Sequence, residues 1–255
     1  MKFFLILLRK INQNLFWLIH NVYKLPSHQL ISSVISKDDN ISIIIPHADD
    51  ELIGNYSILN NYKPVLFYYR KYGSNINIDN IQKRDKELEV LAKKFNLKIE
   101  IIDNENNLKE ALLRNKITTV FIPPIVDWHD EHVDISKILL KALSNFKIQV
   151  FSYEISVPIM STTNLFISLY SPLSCLNKWK IFKEIYKSQS NIPISRFVLK
   201  DLYVYGFKIV FCDKFYLIDK LNYKSIQPNI DLKTQINNLK QIRNISRYEW
   251  EKIEI

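Results

Sequence analysis

Glycine is scarce in this chain, whose 255 residues include only Gly54, Gly73 and Gly206. The phosphate-binding loops of nucleotide-binding proteins need several closely spaced glycines, because the backbone must approach the phosphates. These three glycines are far apart, so the sequence excludes a dinucleotide-binding fingerprint even if the sheet is Rossmann-like.

Cysteine is equally rare, with Cys175 and Cys212 as the only two. They form no C-x-x-C pattern, and two cysteines are too few for a disulfide framework. The composition fits a reducing compartment, and we expect a cytoplasmic protein.

Long hydrophobic runs are also absent, since neither apolar stretch of residues 1–25 approaches the roughly 20 residues that span a bilayer. Arg9 and Lys10 interrupt this segment, and no small-residue cleavage site follows it. Its apolar residues fall at helical spacing, and Trp17 with the flanking basic residues suits a helix at a membrane surface. Two interpretations of this segment remain open. It could contact the inner face of the cytoplasmic membrane peripherally, or it could pack on the domain or on a second subunit.

Acidic residues are outnumbered, with 26 Asp and Glu against 35 Lys and Arg and a net charge of +9 at pH 7. An excess of this size favours anionic partners. The lysines are dispersed and no nucleic-acid-binding motif is present, so the pattern favours an anionic substrate or a membrane surface over nucleic acid.

Short apolar segments alternate with helical patterns from Ile41 onwards. Strands are predicted at 41–45, 65–69, 97–102, 120–122 and 149–153, and helices at 51–59, 81–95, 108–115 and 133–143. This alternation predicts an α/β fold with a Rossmann-like, mostly parallel sheet and helices on both faces. We assign residues 1–40 to an apolar helix and linker, 41–226 to the domain, and 227–255 to a polar helical tail.

Two polar clusters each follow a predicted buried strand. His47, Asp49, Asp50 and Glu51 follow the strand that Pro46 ends, and the cluster Asp127 to His132 follows the strand that ends before Pro123. Parallel sheets bind ligands at the carboxyl ends of their strands. Ionisable groups beside a core strand are costly unless a partner such as a divalent metal satisfies them. A His and a carboxylate from one cluster plus a His from the other would leave one coordination position for water, as in catalytic zinc sites.

The segment Pro46 to Glu51 resembles the (A/P)-H-P-D-D-E signature of the PIG-L/LmbE family of zinc-dependent N-acetylglucosaminyl deacetylases. His129 to His132 is similar to the later H-x-D-H element of that family, with Glu131 in place of the usual Asp. Three further elements match in the same order along residues 41–190. They are Arg84 to Glu87 (R-x-x-E), Tyr153 to Pro158 (Y-E-x-x-x-P), and Lys178 to Gln189 (K-x-x-A-x-x-x-Y/H-x-S-Q).

The resemblance implies a role for each matched residue. His47, Asp50 and His132 would bind the metal, either zinc or iron(II), and Asp49 would be the general base that activates the metal-bound water. His129 would steady the tetrahedral intermediate or protonate the leaving amine, and Arg84 would contact substrate. The implied activity is removal of an acetyl group from an N-acetylated sugar conjugate by metal-bound hydroxide, in glycolipid or polysaccharide biosynthesis.

Several alternatives remain open at this point. The carrier of the sugar could be a lipid or a nucleotide. The chain could also be a non-catalytic glycan-binding or assembly protein, or a hydrolase of a non-sugar amide. Without the resemblance, Asp49 or Asp50 could simply cap a helix. Likewise, Arg84 and Glu87 could form a surface ion pair, and Lys178 could lie on a solvated helix face.

Overall fold

The computed structural model describes residues 28–69, 78–124, 127, 129–156, 165–190, 192, 194–205 and 208–218. The predictions for residues 1–25 and for the tail at 227–255 lie outside this range. Within the described residues, no helix combines the length and the apolar character needed to cross a membrane.

The described part of the chain forms nine strands and six α-helices, together with 3-10 turns at Ile31–Ser33 and Lys187–Gln189. The strands are β1 (His28–Leu30), β2 (Ile41–Ile45), β3 (Val65–Tyr68), β4 (Ile99–Ile101), β5 (Thr119–Ile122), β6 (Gln149–Tyr153), β7 (Leu165–Tyr170), β8 (Leu202–Tyr205) and β9 (Lys208–Leu217). The helices are α1 (Asp50–Tyr62), α2 (Ile78–Phe95), α3 (Glu105–Arg114), α4 (Asp130–Leu143), α5 (Pro172–Ile185) and α6 (Ile194–Asp201).

All nine strands belong to one sheet, with the order β1-β7-β9-β6-β5-β2-β3-β4 and β8 paired to β9. The run β6-β5-β2-β3-β4 is parallel throughout, and β1 is parallel to β7. β9 lies antiparallel between β7 and β6 and also pairs antiparallel with β8. The predicted class, a Rossmann-like and mostly parallel sheet, is confirmed.

Helices cover both faces of the sheet, which explains why β2 is apolar at nearly every position. Ile43 faces a core shared with residues of α1, α2, α5 and α6. Its neighbour Ile44 faces the opposite core, which α3 and α4 supply. Both side chains are fully buried. Since each such residue contributes roughly 1.5–3 kcal/mol through burial, β2 is fixed firmly at the centre of the sheet.

The short edge strand β1 falls inside the segment that the sequence predicts as a linker. His28 pairs in register with Leu165 of β7. Its imidazole Nδ1 lies 3.0 Å from the hydroxyl of Tyr203. A strand of three residues offers too little periodicity to be distinguished from a linker by pattern.

The pairing of β2 with β5 determines where the two polar clusters meet. The strands are parallel neighbours, with Ile43 opposite Phe121. Their carboxyl ends therefore reach the same edge of the sheet. The loop after β2 carries His47 and leads into α1, and the loop after β5 carries Asp127 and leads into α4.

Candidate metal centre and active site

Three of the predicted residues converge at the carboxyl edge of β2 and β5. Within the part of the chain that the structure describes, His47, Asp50 and His132 are the one group of three or more His, Cys, Asp or Glu side chains with converging ligand atoms. His47 lies in the loop after β2, Asp50 opens α1, and His132 lies in the first turn of α4. Asp50 and His132 are buried, whereas His47 is partly exposed.

The three ligand atoms form a compact triangle. His47 Nδ1 lies 3.0 Å from His132 Nε2. Asp50 Oδ2 lies 3.3 Å from each of these nitrogens. A tetrahedral metal with bonds near 2.0–2.1 Å separates its ligand atoms by about 3.3 Å. The triangle therefore fits three corners of a tetrahedral zinc-type site, and the fourth corner would be available to water or substrate.

Each histidine turns its other ring nitrogen toward a carboxylate. His132 Nδ1 lies 3.0 Å from Asp127 Oδ2, and Asp127 is buried. His47 Nε2 lies 2.6 Å from Glu131 Oε2. Metal-binding histidines are commonly held by an outer carboxylate in this way, because it fixes the tautomer and makes the ring a better ligand. The donor set fits a divalent transition metal.

The motifs alone do not reveal these roles of Asp127 and Glu131. As a departure from the family pattern, Glu131 is expected to affect the orientation of His129 or His132, but the histidine that it contacts is His47, on the other loop. The available signal was the presence of carboxylates beside the histidines, but sequence spacing alone does not show which histidine each carboxylate reaches.

The electrostatics of the triangle favour positive charge at its centre. Burial lowers the pKa of His47, but hydrogen bonds with Asp50 and Glu131 outweigh burial and raise it to about 9. Burial likewise opposes charge on His132, yet the charge of Asp50 and the bond with Asp127 raise its pKa well above the usual range. Burial raises the pKa of Asp50, whereas His132 holds it well below its usual range. A divalent cation would supply the charge that these groups favour.

Asp49 lies directly beside this triangle without being part of it. Its φ of 145° lies in a region that favours glycine, and strained backbone of this kind persists only where the surroundings hold it. The Asp49 N–H donates to Glu51 Oε2 at 3.1 Å, and the hydroxyl of Tyr186 donates to the other oxygen of Glu51. Burial and the charge of Asp50 raise the pKa of Asp49 to about 7, against the opposing charge of Arg84.

The remaining predicted site residues lie around this centre. His129 precedes α4, is exposed, and has its ring centroid 5.2 Å from that of His132. Its backbone N–H donates to Asp127 Oδ1 at 3.2 Å. Arg84 is a partly buried residue of α2, and its charge acts on Asp49. The structure thus brings both clusters and the predicted arginine into one region.

Two of the other family-like elements contact each other through Glu87 and Ser188. Glu87 accepts hydrogen bonds from the Ser188 N–H at 2.8 Å and from the Ser188 hydroxyl at 2.5 Å. Lys178 is fully buried rather than on a solvated helix face, so that alternative is wrong. Its ammonium lies 2.9 Å from Asp201 and 3.2 Å from Asp213.

No family model and no curated protein matches the chain, but solved structures do. The conserved protein TT1542 of Thermus thermophilus has a TM-score of 0.56 at 17% identity, over 71% of this chain and 95% of its own. A deacetylase of the teicoplanin pathway, in complex with teicoplanin, has a TM-score of 0.57 at 11% identity, over 70% and 97%. The zinc-inhibited form of the teicoplanin deacetylase has a TM-score of 0.53 at 11% identity, over 70% and 97%.

The chain has the fold of the PIG-L/LmbE deacetylases. The resemblance predicted from the motifs is thereby confirmed as a likeness of fold. The matched structures are covered almost completely, while about 30% of this chain extends beyond the match. In this PIG-L/LmbE-like fold the triangle of candidate ligand atoms lies at the carboxyl edge of the parallel strands.

Proposed function

We propose that this protein is a metal-dependent deacetylase that removes the acetyl group from an N-acetylated sugar conjugate. The observation that carries the proposal is the triangle of His47 Nδ1, Asp50 Oδ2 and His132 Nε2, with separations of 3.0–3.3 Å. The deacetylase fold and the carboxylate behind each histidine support the same reading.

His47, Asp50 and His132 would hold the metal. When bound there, zinc or iron(II) would act as a Lewis acid that makes water nucleophilic near pH 7 and polarises the acetamide carbonyl. A zinc-inhibited form is known for one protein of this fold, and we propose that the metal here is a divalent transition metal, either zinc or iron(II).

Side chains of the protein would accept and donate the protons that move during hydrolysis. Asp49, which is buried next to the proposed ligand Asp50, would take a proton from the attacking water. The exposed His129 would stabilise the developing negative charge on the acetyl oxygen and protonate the departing sugar amine. Arg84 has a fork of donors suited to hydroxyl or phosphate groups of the substrate.

The test measures acetate release from N-acetylglucosamine conjugates by the wild type, Asp49→Asn and His129→Ala, with metal content determined for each. General acid or base groups contribute about 10²–10⁴-fold to such rates. We expect both variants to keep their metal and to lose activity on that scale. The matched control is Asp134→Asn, an exposed residue of α4 whose nearest ion pair is with Lys137 at 3.8 Å. It should retain wild-type activity.

Three outcomes would contradict the proposal. Full activity of Asp49→Asn would remove its assignment as the base. Hydrolysis of a non-sugar amide, with no acetate released from any sugar conjugate, would change the substrate class. Metal binding without hydrolysis of either kind would favour a non-catalytic glycan-binding or assembly protein.

We further propose that the sugar is carried by an anionic group, a lipid or nucleotide phosphate. The net charge of +9 supports this proposal. Acetate release should be faster from phosphate-linked than from neutral conjugates, and the gain should shrink with added salt.

Peripheral membrane contact through residues 1–25 predicts that their deletion reduces partition to anionic vesicles. Unchanged partition would remove the membrane proposal and leave the deacetylase proposal intact.

A further inference from the structure

Helix α1, whose first turn carries Asp50 and Glu51, is interrupted one turn later. Asn55 has φ −136° and ψ 25°, outside the helical region, so α1 consists of two helical pieces joined at a kink. Sharp kinks arise at proline, at glycine and serine pairs, at π-bulges, or where another side chain enters the backbone hydrogen-bond ladder. The sequence Asp50 to Tyr62 contains no proline, and the contacts of Ser57 and Ile53 show that side chains from outside the helix enter the ladder at this point.

Two charged side chains occupy the ladder at this kink. In a regular helix the Ser57 N–H would donate to the Ile53 carbonyl, four residues earlier. Here the Ser57 N–H donates to Asp213 Oδ2 at 2.7 Å, and the Ser57 hydroxyl donates to the same oxygen at 2.7 Å. The Ile53 carbonyl accepts a hydrogen bond from Lys178 Nζ at 2.9 Å.

The two inserted side chains are also joined to each other. Lys178 Nζ lies 3.2 Å from Asp213 Oδ1, and both side chains are fully buried. The Ser57 N–H and the Ile53 carbonyl, which would bond to each other in a regular helix, are therefore linked through the buried ion pair instead. Its lysine comes from α5 and its aspartate from β9. Buried ion pairs contribute little net stability compared with apolar residues, so stability alone is a weak reason for this pair to be here.

We propose that Lys178 and Asp213 are positioning residues for the metal centre, acting by splitting the backbone ladder of α1 between Ile53 and Ser57. Both pieces of α1 are packed in the core, the first through Leu52 and Ile53 and the second through Ile58 and Leu59. The split lets each piece keep its own direction, and the direction of the first piece sets where Asp50 points. This inference rests on the proposed metal site.

The test uses cobalt(II) as the probe, because its visible absorption reports coordination geometry. The central variant is Lys178→Met with Asp213→Leu, which removes one charge of each sign and leaves Asp201 paired with Lys200 at 2.9 Å. We expect a folded protein whose α1 closes the direct Ser57–Ile53 bond. Its cobalt affinity should fall about 10–100-fold, the range for residues that orient metal ligands, and its cobalt spectrum should change.

Two matched variants separate positioning from loss of stability. Asp213→Asn keeps an acceptor for the Ser57 N–H and should keep the wild-type spectrum. Leu108→Ala opens the core under α3, which carries none of the metal ligands, so it should lower stability without changing the spectrum. Asp213→Leu alone, which preserves the Lys178–Asp201 pair, is measured as a second test variant and should weaken cobalt binding like the double variant.

Wild-type affinity and spectrum in a folded double variant or in Asp213→Leu would overturn the inference. Failure of both to fold, while Leu108→Ala folds, would also overturn it, because the pair would then hold the whole domain. If the wild type releases acetate and the double variant binds cobalt normally, the deacetylase proposal survives and the positioning inference fails. If the cobalt results are as predicted but the wild type releases no acetate, the positioning inference survives and the deacetylase proposal fails. If the wild type binds no cobalt, both fail.

Discussion

Each of the two histidines in the candidate metal centre is held from both sides. One ring nitrogen faces the ligand triangle and the other faces a carboxylate, Asp127 for His132 and Glu131 for His47. The two carboxylates differ in their surroundings, since Asp127 is buried whereas the Glu131 side chain is about half exposed. Solvent screens an exposed pair, so the buried carboxylate should have the larger effect on its histidine.

Removing these carboxylates should weaken metal binding without removing a ligand. We expect Asp127→Ala to lower zinc affinity about 10–100-fold and Glu131→Ala to lower it less. The measurement is zinc competition against a chelating dye. Asp134→Ala, on the same helix and exposed, serves as the control. Equal affinities for Asp127→Ala and this control would contradict the assignment of Asp127.

At the scale of elements, the approach of α1 to β6 depends on a single glycine. A Cβ added at Gly54 would lie 2.6 Å from Tyr153 Cδ2 and 3.1 Å from the Glu154 carbonyl oxygen. The tyrosine ring has little freedom to move away, because it is fully buried and its hydroxyl donates to the Ile44 carbonyl at 2.8 Å. Gly54 therefore lets the helix that carries Asp50 lie close against the sheet.

Gly54→Ala should force α1 away from β6. We expect a destabilisation of about 1–3 kcal/mol, as for other overpacked cores, measured by urea unfolding. Asn60→Ala in the same helix is exposed and should change stability by about 0.5 kcal/mol or less. The packing account would be wrong if both variants unfolded at the same urea concentration.

The parts of this fold that were predicted from sequence are those encoded locally. β2 and β5 are short apolar runs ended by proline, and polar clusters follow both, so the sequence could predict the edge of the sheet at which the candidate ligands meet. The insertion of β9 between β7 and β6 could not be predicted, because it depends on pairs such as Phe151 with Leu217 that no local pattern specifies.

The buried charges were equally inaccessible to sequence reasoning. Lys178 lies in a helix with other lysines, and burial of one of them depends on Asp201 and Asp213, which reach it from α6 and β9. The contact of Glu131 with His47 likewise depends on how two loops meet. Residue types near a motif therefore indicate which side chains are candidate ligands, while the partners of each side chain require the folded chain.

At the scale of the whole molecule, the two thiols report on the integrity of the core. Cys175 and Cys212 are buried, and burial raises their pKa to about 11 and about 12, respectively. A thiol reagent at pH 8 should therefore label neither in the native protein and both in denaturant, because the thiolate is the reactive form. Mass spectrometry of the labelled protein gives the count. Rapid labelling of either cysteine under native conditions would contradict the described packing.

Removal of the metal followed by its restoration tests the proposed metal-dependent deacetylase activity. Acetate release from an N-acetylglucosamine conjugate should stop when a chelator strips the purified protein, and adding about one equivalent of zinc or iron(II) should restore it. His132→Ala should not be restored in the same way, because it removes one corner of the triangle. Undiminished acetate release by fully stripped protein would contradict the account, as would a wild type that binds no metal.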